Sequence, residues 1–325
     1  MAERPVAGIH PGAWRTAGHG AWRGTRSFLQ LMLVVAPVYT AITVLRYTPV
    51  LRTFAEFAAP LMKHFGLPGE AAMALILGNA INLYAGIGAI TALGLPPAQL
   101  TVLSVMLLLS HSQILETAIF FRMGAKWWLL WVVRLVLSFL AGAGLGRLLV
   151  GGATTGGSGG TAELARMARF EFTGFWPALG DWALGLADTA YKMLLVLVAI
   201  FIGLEFARRY GLLERLLVRV NRVTRWFGLS REAGLPWLGG NVFGIVFGGG
   251  LIVESTREHR LSPRQVTLVA TFLALSHGLF EDTAIFIVLG ANLFWITVPR
   301  IVLAVLVTWV LSRVLKERVP TGRDG

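Results

Sequence analysis

The chain has no cysteine among its 325 residues, which excludes disulfides, thiolate metal sites and iron–sulfur clusters. It is also poor in charge. Only 14% of residues are Asp, Glu, Lys or Arg, where a soluble domain carries about 25%. Between Glu70 and His111 there is no charged residue, a run long enough to cross a ~30 Å hydrocarbon core more than once. A G-x-x-x-x-G-K-[ST] phosphate loop is missing, which removes that route of self-energising. H-E-x-x-H does not occur, so an intramembrane hydrolase is not expected and the chain reads as no enzyme. The first 28 residues hold Arg4, Arg15, Arg23 and Arg26 but no short apolar core with a cleavage site, so no cleavable signal peptide is expected.

What the sequence does have is apolar length. Hydrophobic residues make up 55%, mean hydropathy is +0.68, and long apolar runs lie near 29–45, 127–149, 190–204, 233–253, 265–289 and 292–312. The fold class expected is an all-α polytopic membrane protein. Its net charge of +12 is better explained by basic loops on the cytoplasmic face of an inner membrane than by nucleic acid.

The chain is also written twice. "FGLPGEA" at 65–71 recurs as "FGLSREA" at 227–233, and "LGNAINLYAGIGAI" at 77–90 aligns with "GGNVFGIVFGGGLI" at 239–252. After a short insertion, 95–125 matches 261–291, and Arg134 falls opposite Arg300. This divides the chain into a cytoplasmic N-terminal segment 1–27, repeats at 28–149 and 190–313, and a cytoplasmic tail 314–325. Between the repeats, 150–189 reads as a Gly-rich linker followed by an interfacial helix bearing Trp176 and Trp182.

Basic residues bear on topology. Arg208, Arg209, Arg215, Arg219, Arg222, Arg225 and Arg231 precede the apolar stretch 233–253, and Arg257, Arg260 and Arg264 follow it. Both groups belong on the cytoplasmic side, so that stretch is expected to be a re-entrant hairpin. The run Gly248-Gly249-Gly250, with Gly86 and Gly88 in the first copy, is expected to supply the break. Each repeat then holds one span, an amphipathic surface helix, a hairpin and two more spans. Three crossings invert the second copy relative to the first, as in many transporters.

Polar residues recur at lipid depth. In "LSHSQILETAIFF" and "LSHGLFEDTAIFI", His111 pairs with His277, Glu116 with Asp282 and Thr117 with Thr283, while Glu281 is extra. Asn79 and Asn241 occupy matching hairpin positions. Ionisable residues inside a membrane are costly and mark functional sites. His111, Glu116, His277 and Asp282 are candidate ligands of a divalent cation, because imidazole with carboxylate suits iron, manganese or zinc. A proton relay uses the same groups, and helix capping with carboxylate–arginine pairing is the purely structural reading. On an unbroken helix His111 and Glu116, five apart, do not share a face; either the helix breaks there or they serve different neighbours. Arg134 and Arg300 read as partners of Glu116 and Asp282, as anion binders, or as side chains snorkelling to the interface; snorkelling or ion pairing is the simpler expectation. Asn79 and Asn241 either line a path or satisfy hairpin backbone. Ser112 and Gln113 complete the supporting set.

The Gly-Asn hairpin elements "LGNAINLYAGIG" and "GGNVFGIVFGGG", each followed by a polar-broken span, resemble the Gate, or nucleoside-recognition, domain. That domain occurs in ferrous-iron transporter B proteins, concentrative nucleoside transporters and spore-maturation membrane proteins. The resemblance implies an inverted-repeat permease core and points to Asn79, Asn241 and the positions around His111–Ser112 and His277–Gly278. The iron transporters carry a cysteine and a proline around the hairpin Asn, a Cys-Ser pair in place of His111-Ser112, and an N-terminal GTPase domain, none of which this chain has.

The function expected is a permease-like transporter that moves a small solute or divalent metal cation by alternating access. His111, Glu116, His277, Glu281 and Asp282 would form its central site. The alternatives are a nucleoside-type permease and a non-transporting scaffold of the spore-maturation type. The bilayer, the solute, a separate energising or partner membrane protein and a second copy of the chain are the partners considered.

Overall fold

The computed structural model describes residues 12–151, 174–258 and 261–315. The Gly-rich part of the linker, the first eleven residues and most of the tail lie outside the described residues. Six stretches are long and apolar enough to cross a membrane, and no strand occurs among the described residues. The molecule is an all-α polytopic membrane protein.

The first half runs α1 (Ala13–Arg46), α2 (Pro49–Met62), α3 (Ala71–Ala80), α4 (Leu83–Leu93), α5 (Pro97–Ser110), α6 (Gln113–Arg122) and α7 (Trp127–Leu145). The second half repeats this order as α8 (Phe175–Arg209), α9 (Leu212–Val223), α10 (Gly234–Phe243), α11 (Ile245–Arg257), α12 (Pro263–Ser276), α13 (Glu281–Val288) and α14 (Leu293–Val314). Proline at the first turn starts both α5 and α12, where its missing N–H costs nothing.

Boundaries drawn at residues 28 and 190 fall inside helices. α1 is already helical at Ala13, and α8 runs unbroken from Phe175 through the next span. Trp182 therefore sits on a membrane-spanning helix, where its indole N–H donates to Thr40 Oγ1 at 3.0 Å, rather than on a separate surface helix. α1 and α8 pack antiparallel. Arg209 Nη1 donates to Thr16 Oγ1 at 3.0 Å near one end, Arg23 pairs with Glu205, and Trp182 meets Thr40 toward the other. Gly20 and Gly24 let the backbones touch, since a Cβ on either would lie 2.5 or 2.7 Å from the Cα of Ile202 or Val198. Small residues four apart are the usual means of close helix approach in lipid.

The α3–α4 and α10–α11 pairs are the two hairpins. With 10 to 13 residues per arm, each arm is about 15–20 Å long, too short to cross a ~30 Å core. The glycine run does not make the turn. The first hairpin turns at Ile81–Asn82, where Asn82 Oδ1 accepts from Ala85 N at 2.9 Å. The second turns at Gly244, whose φ of +87° suits glycine. Gly86 and Gly248 lie within the second arms and allow the arms to meet. A Cβ on Gly248 would lie 2.5 Å from Gly240 Cα, and one on Gly86 would lie 3.1 Å from Gly78 Cα. Gly248→Val is therefore expected to force the second hairpin apart and cost about 1–3 kcal/mol. Thermal unfolding in detergent checks this, with Gly250→Val, whose Cβ would meet no atom within 4 Å, as the tolerant control.

The core lies along α5–α6 and α12–α13. In these stretches 72% and 67% of the most apolar window is buried, against 11–33% in the other four long helices, so the two polar-broken helices are the central ones. They are apolar on all sides because all sides are buried. The halves exchange contacts reciprocally across this centre. Lys126 N–H donates to Thr267 Oγ1 at 3.4 Å, and the equivalent Asn292 N–H donates to Thr101 Oγ1 at 3.0 Å.

Candidate functional site

Both central helices break at the histidine. α5 ends at Ser110; His111 turns extended (φ −56°, ψ 163°), and Ser112 takes the left-handed conformation (φ 53°) before α6 starts. His277 (φ −60°, ψ 162°) and Gly278 (φ 62°) make the same break ahead of α13. A left-handed residue is costly unless it is glycine or is held in place. Hairpin tips do the holding. Ser112 N–H donates to Gly78 O at 2.8 Å, and Leu279 N–H to Asn241 O at 3.2 Å. The second half needs glycine for a further reason: a Cβ on Gly278 would lie 2.0 Å from Asp282 Oδ2.

A broken helix frees carbonyls at a partially negative C-terminal end. Arg134 and Arg300, both 0% exposed, close those ends. Arg134 donates from Nε to Leu109 O (3.2 Å) and from Nη2 to His111 O (2.6 Å). Arg300 donates to the equivalent Leu275 O (3.4 Å) and His277 O (3.0 Å), and from Nη1 to Thr283 Oγ1 (3.4 Å). The snorkelling expectation is thus wrong for both, because the unpaired carbonyls draw them inward. Ion pairing holds for Arg134, whose Nη2 is 3.0 Å from Glu116 Oε2, although the angle does not make it a hydrogen bond. Arg300 spends its donors on carbonyls and a hydroxyl instead.

The breaks bring the two histidines face to face. Nε2 of His111 and Nε2 of His277 are 3.1 Å apart, and Glu116 Oε1 lies 3.2 Å from the first and 3.3 Å from the second. All three side chains are at most 5% exposed. His111 and Glu116, which an intact helix would separate, meet because the chain turns between them. Each Nδ1 faces the carbonyl four residues earlier, Leu107 O at 2.9 Å and Leu273 O at 2.7 Å. A carbonyl only accepts, so both Nδ1 atoms carry a proton, and in the neutral imidazole both Nε2 atoms then present lone pairs. Two lone pairs and a carboxylate oxygen thus converge on one buried point, an arrangement that calls for a cation.

The other sequence candidates divide. Asp282 joins the histidines, with one atom from each of the three within 4.8 Å of the others. Glu281 does not belong to this cluster. It turns to α1 and accepts from Ser27 Oγ at 3.4 Å, because position 281 lies one residue round the helix from Asp282. Asn241 is buried and engaged at both ends of its amide: Nδ2 donates to Trp237 O (2.9 Å), and Oδ1 accepts from Ser276 Oγ (2.8 Å). Asn79 donates to Leu75 O (2.8 Å) while its Oδ1 has no partner. Ser110 and Ser276, which anchor the breaks, escaped sequence reasoning. Their signal was the serine standing before histidine in both copies, "LSHS" and "LSHG".

Residues 28–127 match the family model described as Gate, nucleoside recognition. The chain is also similar to a Bacillus subtilis (strain 168) protein described as uncharacterized membrane protein YvoD, at 29% identity over 303 residues. That match covers 93% of this chain and 96% of the relative. No solved structure matches. The chain is a multi-pass membrane protein, and its residues 28–127 are similar to the Gate, or nucleoside-recognition, family.

Proposed function

We propose that this protein is a permease of the cytoplasmic membrane, not an enzyme, and that it carries a divalent transition-metal cation through the paired histidines by alternating access. The observation that carries the reading is the convergence of His111 Nε2, His277 Nε2 and Glu116 Oε1, spaced 3.1–3.3 Å apart. Tetrahedral metal–ligand bonds of about 2.0 Å place neighbouring donors about 3.3 Å apart, so the three atoms have the spacing of one face of such a site. Asp282 is the nearest further carboxylate. Imidazole with carboxylate favours zinc, iron or manganese over the harder calcium or magnesium. Because each histidine is 4% exposed, this conformation reads as occluded.

The antiparallel packing of the equivalent helices α1 and α8 and the reciprocal contacts at Thr101 and Thr267 support inverted repeats about an axis near the histidine pair. Repeats of this kind rock about a fixed central site.

The test is metal binding to the purified protein by equilibrium dialysis with Zn2+, Mn2+ and Fe2+, together with metal uptake into proteoliposomes. One ion bound per chain and protein-dependent uptake are expected. Nucleoside flux without metal binding would favour a nucleoside permease instead. A stably co-purifying partner with neither flux nor metal would make the protein a scaffold.

A further inference from the structure

Three equivalent polar positions beside the histidine breaks are treated differently by the two halves. In the second half every one is satisfied or apolar: Asn241 Oδ1 accepts from Ser276, Thr283 Oγ1 accepts from Arg300, and position 279 is Leu. In the first half Asn79 Oδ1, both ends of the Gln113 amide, and Thr117 Oγ1 lack a partner although buried. Gln113, the residue opposite Leu279, is 5% exposed. Gln113 and Thr117 are four apart on α6 and share a face. Asn79 adjoins Gly78, whose carbonyl receives Ser112 N–H, so the hairpin tip and the start of α6 are held together. Burying such groups dry and unpaired is unfavourable, and second-half chemistry shows that the fold does not require them.

We propose that the first half alone forms the hydrated approach to the histidine pair, with Asn79, Gln113 and Thr117 binding the water that accompanies an ion to and from His111. The inference rests on the permease reading for its purpose, but its physical content is hydration and is tested separately. It makes the transporter asymmetric within a two-fold frame. One half exchanges the hydration shell and the other supplies a dry wall.

The absence of cysteine in the chain permits a clean experiment. Gln113→Cys, Thr117→Cys, Leu279→Cys and Thr283→Cys are made singly, reconstituted, and exposed to a small membrane-impermeant methanethiosulfonate cation from either side. Cysteines at 113 and 117 are expected to react from one side only, and roughly tenfold or more faster than those at 279 and 283, as local access differs. Equal labelling of the two halves, or faster labelling at 279 and 283, overturns the proposal, as does no labelling at 113 and 117 in protein that elutes as a single species. Labelling needs no transport, so it reads hydration even if metal uptake fails. Protection by added Zn2+ reads the permease assignment independently. Gln113→Leu serves as a second variant. It is expected to retain Zn2+ binding at equilibrium but to slow its binding and release, and an unchanged rate would count against the approach.

Discussion

Arg134→Ala is expected to cost about 3–5 kcal/mol, the usual effect of removing one partner from a buried charge pair. That is a large share of the roughly 5–15 kcal/mol by which proteins are stable. The guanidinium bonds the carbonyls of Leu109 and His111 and faces the Glu116 carboxylate at 3.0 Å, with both side chains almost fully buried. Its removal leaves a broken helix end unsatisfied and a carboxylate unpaired. Lysine is not expected to substitute, since a point charge cannot serve two carbonyls and a carboxylate in one plane. Arg300→Ala should cost less, because it frees carbonyls and a hydroxyl but strips no carboxylate of an ion pair as close as that of Glu116. The check is thermal unfolding in detergent, with Glu116→Gln added to Arg134→Ala. The double variant should regain part of the loss. Equal losses for the two arginine variants, with no recovery in the double, would refute the pairing.

Residues with local rules were readable, and those governed by three-dimensional context were not. Apolar length marked the spans, and the recurring "LSH" placed His111 against His277 before any fold was known. The spacing of His111 and Glu116 left two readings, a helix break or different neighbours, and the break is the one found. Sequence could not show where Arg134 and Arg300 would go, because the carbonyls that draw them inward exist only once the breaks at Ser112 and Gly278 form. The glycines of α4 and α11 were misread as turns for a related reason. A glycine needed for close packing and one needed for positive φ look alike in one dimension, and only contacts such as Gly248 on Gly240 separate them. Equivalent letters also concealed unequal reach. Glu116 is one methylene longer than Asp282 and touches both imidazoles, whereas the Asp282 carboxylate folds back over Gly278.

That difference in reach gives the sharpest functional expectation. His111→Ala and His277→Ala should each weaken Zn2+ binding by more than the roughly 10–100-fold that loss of an outer-shell partner costs, because each removes a lone pair aimed at the shared point. Metal uptake should fall with binding. Glu116→Gln should follow them, since it deletes the one negative charge between the imidazoles. Glu281→Gln should bind and transport like the parent protein, because its carboxylate is turned to Ser27 of α1 and not to the histidines. Isothermal titration with Zn2+ and uptake assays on the four variants decide the matter. If Glu281→Gln loses binding as severely as His277→Ala, the cation site lies toward α1. If both histidine variants bind normally, the facing imidazoles serve only to close the two broken helices. The contrast between Glu116 and Glu281 is the more discriminating half of the test, since both are carboxylates on the stretch after a break and only geometry tells them apart.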